Sequence, residues 1–361
     1  MNHDTPLSPR PPQQLAGGSR RLLTTAQLRA RGVAAAETAA HCRPGGPWQQ
    51  ILPGVVLLHP GPPTGEERLR AVLLYVGRER AGGVPSQPGP QTGAGRGEAV
   101  ITGLAALTLH GFTSAPPLPD LETVDVLVPR ARRLRSTGCA RILRTSDLPV
   151  PELLPLPGAL DPVRAQGAHV PVAPVARALA DAVAEPADPG AVRRLLTEAV
   201  RAGHCEPAAV VRELREAHLL GRPHLVDAVE SLLAEGRAVA EDRLYRMVRD
   251  YGLPDPVWNV GLRLPGGPDL GGVDAYWPEH GVAVDLDTRA GRHGHASCGQ
   301  AGAAECPRKH EHLERLGITV VQLSAKKLRD APEHQAIVVR TALMSAADRE
   351  PAAYVVVLPR P

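Results

Sequence analysis

Residues 273–287 have the sequence VDAYWPEHGVAVDLD, two apolar stretches joined by a turn. The first stretch, Val273–Trp277, predicts a strand because its residues are mainly Val, Ala and aromatic. The second, Val282–Asp287, predicts another strand for the same reason, and the Pro-Glu-His-Gly between them favours a tight turn. These two strands decide the fold and place three aspartates close together.

The three aspartates are the candidate metal ligands. Asp285 and Asp287 lie two positions apart, so they project from the same face of their strand, and Asp274 lies on the neighbouring strand. Hydrolysis of a phosphodiester uses water activated on Mg²⁺, an ion that prefers carboxylate oxygens. We therefore predict that Asp274, Asp285 and Asp287 hold Mg²⁺, with Glu241 on the preceding helix as a fourth catalytic acid.

The flanking sequence predicts a restriction-endonuclease-like domain over residues 236–361. Helical spacing of apolar residues indicates a helix at Glu241–Tyr251, and alternation predicts a strand at 260–264. A helix at Lys309–Leu316 then leads to the continuous apolar strand Ile318–Leu323. Because a crossover helix returns its strand parallel, the predicted order α-β-β-β-α-β forms a mixed sheet.

The rest of the chain predicts a multi-domain α/β protein. Residues 1–20 have a composition typical of disorder, and 21–62 predict two short helices and a strand, as in a small winged helix. Residues 63–150 predict a small α/β segment with a Gly/Pro-rich insertion at 82–98 and a helix at Ala99–His110. Residues 151–235 predict a helical segment that begins with a proline-rich linker and ends with a helix at His224–Leu233.

Two sets of arginines are candidate DNA-binding residues, since Lys and Arg contacts to phosphate dominate affinity for DNA. One set surrounds the predicted winged helix, and the other follows the strand Val124–Val128. A solvated loop is the alternative interpretation of the second set. The two sets are Arg29, Arg31 and Arg43, and Arg130, Arg132, Arg133 and Arg135.

Composition narrows the function classes. Aromatic residues make up 2% of the chain, which argues against a platform that stacks single-stranded bases. The net charge of +3 is compatible with nucleic acid as a partner. Five cysteines without a C-x-x-C pair disfavour a disulfide framework, and no stretch is long and apolar enough for a membrane span. We therefore expect a cytoplasmic protein without membrane association.

Four short patterns carry a family resemblance: Glu241-x-Arg243-Leu244, Val273-Asp274, Val284-Asp285-Leu286-Asp287 and Leu313-x-x-x-Gly317. Together they resemble the very-short-patch-repair-related branch of the PD-(D/E)XK nuclease superfamily. Upstream, VLVPRARRLRSTG at 126–138 and ARALADAV at 176–183 resemble the AbiEi-type antitoxin domains that actinobacterial proteins often place before such a module.

The nuclease resemblance implies that Asp274 and Asp285 hold the metal ion. This sequence departs from the family at three positions: Asp285 replaces the usual glutamate, Asp287 replaces the lysine that orients water, and Thr288 replaces a glycine. A catalytic cation need only be near in space. Three other residues are available to replace the missing lysine: Lys309, His293 and His295.

Three interpretations of the aspartates stay open on sequence alone: an intact Mg²⁺-dependent endonuclease, a degenerate nuclease fold kept for binding, and an edge strand with solvated polar positions. The antitoxin resemblance adds a different function class, a non-catalytic regulator that binds DNA or a cognate toxin protein. A neighbouring gene for a nucleotidyltransferase-type toxin would favour that class.

A second candidate metal site is a compact set of histidines and cysteines that could bind zinc. Their spacing is not that of a recognised zinc finger, so surface histidines in a Gly/Ala-rich loop are the favoured interpretation. The set comprises His293, His295, Cys298, Cys306, His310 and His312.

Overall fold

The computed structural model describes residues 21–77, 99–156, 169–185, 188–287, 309–347 and 355–359. The chain is a mixed α/β protein that divides into two compact units, Met1–Ala187 and Asp188–Pro361. Three β-sheets are present in the described residues. The predicted disorder at 1–20 and the predicted insertion at 82–98 lie outside the described residues.

The first unit begins with a small sheet and two short helices. Thr24 caps the first helix, accepting a hydrogen bond from the N–H of Gln27 while the Gln27 side chain accepts one from the N–H of Thr24. The sheet is antiparallel with strand order β1-β3-β2. The elements are β1 (Leu22–Thr24), α1 (Thr25–Ala30), α2 (Ala35–His41), β2 (Gln49–Leu52) and β3 (Val55–Leu57).

The second sheet of this unit has the strand order β6-β5-β4-β8-β7. Strand β6 is parallel to β5, and β8 is parallel to β4, whereas β5 and β7 are antiparallel to their inner neighbours. The elements are α3 (Gly65–Val76), β4 (Val100–Thr102), α4 (Gly103–Leu109), β5 (Val124–Pro129), β6 (Ala140–Thr145), β7 (Glu152–Pro155), β8 (His169–Val172) and α5 (Val175–Val183).

The second unit opens with three helices, of which the last is 28 residues long. They are α6 (Pro189–Arg201), α7 (Pro207–Glu216) and α8 (Pro223–Asp250). Gly236 lies in the middle of α8, where a Cβ atom would stand 2.5 Å from Cγ of Pro207. The glycine therefore lets α7 approach α8 closely, and the helix continues through it.

The sheet of the second unit has the order β12-β11-β10-β9-β13, with β12 parallel to β11 and the other neighbours antiparallel. The described elements follow the predicted order α-β-β-β-α-β, and β11 and β12 pair in parallel. The elements are β9 (Val257–Arg263), β10 (Asp269–Trp277), β11 (Val282–Asp287), α9 (309–315 in its described part), β12 (Thr319–Ser324), α10 (Ala325–Asp330), α11 (Pro332–Ala347) and β13 (Val356–Pro359).

Each face of this sheet buries a separate apolar core. Val284 and Leu286 pack in the cluster that includes residues of α8 and α11. Ala283, one position away on β11, packs in the opposite cluster with Leu313 of α9. The alternation means that the odd-numbered positions of β11, including Asp285, face the side of α9.

Three sequence predictions need correction. The all-helical prediction for 151–235 is wrong at its start, where β7 and β8 form strands. The predicted helix at 99–110 begins as strand β4. These strands are three or four residues long and pair with distant segments, so they leave little local periodicity. The separate helices predicted around 224–233 and 241–251 are one helix, α8. No helix in the described ranges is long and apolar enough to cross a membrane.

Candidate functional site

The predicted acids converge on two neighbouring strands of the second unit's sheet. Ala275 of β10 pairs with Val284 of β11 in an antiparallel register, which places Asp274 beside Asp285 across the two strands. Asp287 lies two residues further along β11, where the strand is exposed and in register with Ser324 of β12. Asp274 and Asp285 are close enough for the charge of Asp285 to act on Asp274, whereas a site shared by all three aspartates stays a prediction.

Asp274 is the most buried of the acids, with 4% of the residue exposed. Its Oδ2 accepts a hydrogen bond from the backbone N–H of Leu286 at 2.6 Å, and its Oδ1 accepts one from Nη2 of Arg237 at 2.6 Å. Burial raises the pKa of Asp274, and the Leu286 N–H and the Arg237 charge oppose that rise. Both carboxylate oxygens therefore already have partners within the chain.

Glu241 joins the site through Arg237. The two residues are one turn apart on α8, and Nε of Arg237 donates to Oε1 of Glu241 at 2.7 Å. The guanidinium of Arg237 thus bridges Glu241 and Asp274. Sequence reasoning missed Arg237 because it placed the start of the helix at Glu241. The signal that identifies it is the spacing of four residues on a helix that continues upstream.

Asp285 is held by the helix α9. Nζ of Lys309 lies 3.4 Å from Oδ1 of Asp285 and donates to the carbonyl oxygen of Gly272 at 2.6 Å. Nε2 of His310 lies 2.8 Å from Oδ2 of Asp285, and Nδ1 of His310 faces the side-chain amide nitrogen of Gln322. With that amide donating to Nδ1, Nε2 carries the proton and donates to Asp285.

Lys309 was predicted as a cation that replaces the lysine missing at position 287, and the structure brings it to Asp285. The other two cations proposed for that role, His293 and His295, lie outside the described residues. So do Cys298 and Cys306 of the candidate zinc set. His310, also in that set, contacts Asp285.

The residues present do not fit a Mg²⁺ ion in the arrangement seen here. The described ranges contain no group of three or more His, Cys, Asp or Glu side chains placed to hold a metal. The reason is visible in the hydrogen bonds: Arg237 and the Leu286 N–H occupy the oxygens of Asp274, and Lys309 and His310 occupy those of Asp285. Hydrogen-bond donors of the chain stand where a hard metal ion needs free carboxylate oxygens.

The candidate DNA-binding arginines lie in the first unit, and six of the seven are exposed. In the ranges that the structure describes, these six have no acidic partner. The seventh arginine, Arg132, is half-buried rather than exposed, and its guanidinium donates to the carbonyl oxygen of Val76. The exposed six are Arg29, Arg31, Arg43, Arg130, Arg133 and Arg135.

The first unit also contains an ion-pair cluster that sequence reasoning missed. Arg141 of β6 binds both carboxylate oxygens of the buried Asp125 of β5 and also contacts Glu185. Asp181 of α5 lies 3.0 Å from Nε of Arg177. These side chains, apart from Asp125, line a cavity of about 310 Å³. Burial raises the pKa of Asp125, Arg141 opposes the rise, and the charge of Asp181 adds to it.

No protein-family model matches the chain, and a search of curated proteins finds no relative of it. The resemblances to the nuclease superfamily and to the antitoxin domains therefore stay predictions from sequence.

Proposed function

We propose that this chain is a DNA-associated protein whose first unit contacts DNA phosphates through exposed arginines and whose second unit keeps a nuclease-like plan without hydrolysing DNA. One observation carries the second half of the proposal. The carboxylates of Asp274 and Asp285 are paired with cations and a backbone N–H of the chain itself. Carboxylates occupied in this way are poor ligands for the Mg²⁺ on which hydrolysis by such a site depends.

The nuclease-like plan is supported by the element order α8-β9-β10-β11-α9-β12 and by the parallel pairing of β11 with β12. Acids on the two neighbouring strands β10 and β11 agree with the resemblance. Asp285 is shorter than the family's glutamate, and Asp287 places a negative charge where the family has a positively charged lysine. Both departures agree with a loss of hydrolysis.

A winged-helix-like first unit is supported by two short helices followed by the hairpin β2-β3, in a sheet of order β1-β3-β2. The second helix, α2, exposes alanines at four of its seven positions, which offer no hydrogen bonds to base edges. We therefore propose that this unit binds DNA through phosphates, with little preference for sequence.

The phosphate contacts are assigned to the exposed arginines. Arg130, Arg133 and Arg135 follow β5 in one loop, and no carboxylate neutralises them in the described part of the chain. Unpaired guanidinium groups on one loop suit a polyanion, whereas arginines already paired with acids contribute little.

Fluorescence anisotropy with a labelled DNA duplex, measured over a salt series in EDTA, tests this proposal. We expect binding to weaken steeply with salt and to persist without divalent metal. The triple variant Arg130→Gln, Arg133→Gln and Arg135→Gln should weaken binding at least tenfold at about 100 mM salt. The slope of log K against log salt should fall by about 0.9 for each phosphate group that the variant no longer neutralises.

The matched control removes three exposed arginines that already have acidic partners. Arg201 pairs with Glu235, Arg246 with Asp242, and Arg315 with Glu311. Replacing these three arginines by Gln changes the net charge by the same amount as the first triple variant. We expect the control to bind DNA within about twofold of wild type. An equal weakening of binding in both triple variants, or no weakening in either, would contradict the assignment.

Metal-dependent hydrolysis is the second candidate function, and the position of Lys309 favours it. Its ammonium group lies beside Asp285 and supplies a cation that position 287 lacks. Nicking of supercoiled plasmid in Mg²⁺ or Mn²⁺ separates the two candidates. We expect no nicking by wild type. Nicking that Asp274→Asn and Asp285→Asn both abolish would establish hydrolysis and overturn the proposal.

A further inference from the structure

The guanidinium of Arg237 occupies a central position among the acids of the second unit. It donates to Oδ1 of Asp274 at 2.6 Å and to Oε1 of Glu241 at 2.7 Å, so one group bridges a carboxylate on β10 and another on α8. The Asp274 side chain is buried, whereas the Arg237 side chain is 39% exposed. The cation therefore covers the buried acid from the solvent side.

The acids need such a cation because they repel one another. Burial is the main cause of the raised pKa of Asp274; the charge of Arg237 lowers this pKa, and the negative charges of Asp285 and Glu241 add to the rise. Lys309 supplies a positive charge beside Asp285, and His310 donates a hydrogen bond to the other carboxylate oxygen of Asp285. Acids on two adjacent strands and one helix thus meet in one place, and the chain supplies their counter-charges.

We propose that Arg237 is the fixed cation of this centre, standing where a divalent ion would otherwise neutralise Glu241 and Asp274, and that removal of its guanidinium turns the centre into a divalent-cation site. The inference concerns the centre alone and holds whether or not the first unit binds DNA. It predicts that the natural chain does not bind Mg²⁺ or Mn²⁺ at Asp274.

The ligand set that remains without Arg237 suits a hard divalent ion. Oδ1 of Asp274 and Oε1 of Glu241 both lose their donor, and they face the space that the guanidinium leaves. Oδ2 of Asp274 stays bonded to the Leu286 N–H, which keeps the carboxylate in its present orientation. Oxygen ligands from Asp and Glu are those that Mg²⁺ and Mn²⁺ prefer.

Mn²⁺ titration of the full chain, followed by electron paramagnetic resonance of the free ion, tests the proposal. We expect no saturable binding to wild type that depends on Asp274, and one Mn²⁺ bound by Arg237→Ala at least tenfold more tightly. Added Mn²⁺ should also raise the Tm of Arg237→Ala and leave that of wild type unchanged. The double variant Arg237→Ala with Asp274→Asn should not show this additional binding.

Two further variants control for charge and for helix position. Arg237→Lys keeps a cation at the site and should bind no more Mn²⁺ than wild type. Arg246→Ala removes another arginine of α8, one that pairs with Asp242 at the surface, and should also behave as wild type. An equal increase of Mn²⁺ binding in Arg246→Ala would overturn the proposal, since the effect would then come from net charge.

The decisive contrary results are direct. Saturable Mn²⁺ binding to wild type that Asp274→Asn removes would overturn the proposal, and so would a folded Arg237→Ala whose Mn²⁺ binding does not increase. If Arg237→Ala unfolds in EDTA, refolding in Mn²⁺ supports the proposal. If it stays unfolded in Mn²⁺, Arg237→Met, which keeps the aliphatic stem, is measured in the same way. Failure of Arg237→Met to bind Mn²⁺ or to fold with it overturns the proposal.

Discussion

Each unit of this protein buries an aspartate of a β-strand against an arginine, but the arginines come from different places. In the first unit Asp125 is bound by Arg141 of the adjacent strand β6, so the sheet carries an acid and a base side by side. In the second unit the strand beside Asp274 carries another acid, Asp285, and the cation Arg237 comes from the helix α8.

The difference teaches what distinguishes a nuclease-like centre from an ordinary buried ion pair. A buried aspartate paired with arginine occurs in both units, so by itself it indicates no catalytic chemistry. Acids on adjacent strands are different, because the sheet itself then provides no counter-charge. The counter-charge must then come from outside the sheet, either from a cationic side chain on another element or from a metal ion.

The largest expected effect is a loss of stability that distinguishes Arg141 from Arg237. Arg141→Leu leaves Asp125 buried without its counter-ion, and breaking a buried pair in this way destabilises by about 3 to 5 kcal/mol. We expect the first unit to lose stability by about that amount in calorimetry, with no recovery in Mn²⁺. Arg141 also contacts Glu185, but the Glu185 side chain is 63% exposed, whereas Glu241 beside Arg237 is 24% exposed. We therefore expect the space vacated by Arg141 to hold a divalent ion less well than the space vacated by Arg237.

The control for this change is Arg70→Leu, since Arg70 pairs with Glu66 on the exposed side of α3. Loss of that surface pair should change stability by less than about 1 kcal/mol. A rise of Tm in Mn²⁺ for Arg141→Leu, equal to the rise for Arg237→Ala, would show that the Asp125–Arg141 pair and the Asp274–Arg237 pair do not differ in this respect.

A smaller effect is expected at two glycines, one that lies against Asp125 in the first unit and one that lies against Lys309 in the second. Gly103 has a φ of +62°, and a Cβ there would lie 2.4 Å from Oδ2 of Asp125. Gly271 has a φ of +92°, and a Cβ there would lie 3.3 Å from Cδ of the flexible Lys309 side chain. We expect Gly103→Ala to destabilise by about 2 to 3 kcal/mol and Gly271→Ala by about 1 kcal/mol.

The measurement is urea unfolding of both alanine variants, followed by circular dichroism. The physical reason for the ranking is that both substitutions strain a left-handed backbone, while only Gly103→Ala also displaces a fixed carboxylate. A Gly271→Ala variant that is less stable than Gly103→Ala would show that Lys309 is as rigidly held as Asp125.

The last expected effect is a pH dependence of stability that Asp125 and Asp274 share. Burial raises the pKa of both Asp125 and Asp274 above the ordinary value. As pH falls, each binds its proton in the folded chain before it does so in the unfolded chain. As pH falls from the raised pKa of the folded chain to the unfolded pKa of about 4, protonation therefore increases the stability of the fold. Above the raised pKa, the charged carboxylate lowers that stability.

The Asn variants of the two aspartates lack this titration. Lowering the pH from about 7 to about 4 should therefore stabilise wild type relative to Asp125→Asn and to Asp274→Asn, by at most about 1.4 kcal/mol per pH unit for each group. Urea unfolding across that pH range measures the difference. A wild type that loses stability relative to the Asn variants as pH falls would contradict the raised pKa values.

Much of the second unit's architecture is predictable from sequence, because its strands are long enough to show their pattern. The alternation in Val282–Asp287 and the apolar run at 318–323 give β11, β12 and the shared face of Asp285 and Asp287. Lys309 was also predictable as a nearby cation. The position of Arg237 was not, because the predicted helix began after Gly236 and the packing of Pro207 against that glycine is a tertiary contact.

The first unit was less predictable, for a related physical reason. Its strands β1, β4 and β8 are three or four residues long, and their partners lie far along the chain. The pair of Asp125 and Arg141 depends on the parallel register of β5 and β6, which no local pattern fixes. Sequence periodicity therefore predicted most of its helices, whereas most of the sheet that positions its ion pairs was missed.

The most direct test of the central claim is anomalous diffraction from crystals of the full chain soaked in Mn²⁺. The predicted result is a guanidinium of Arg237 bound between Glu241 and Asp274, with no manganese peak beside them. A manganese ion coordinated by Asp274 and Asp285, with Arg237 turned away, would contradict the claim that the chain supplies its own cation.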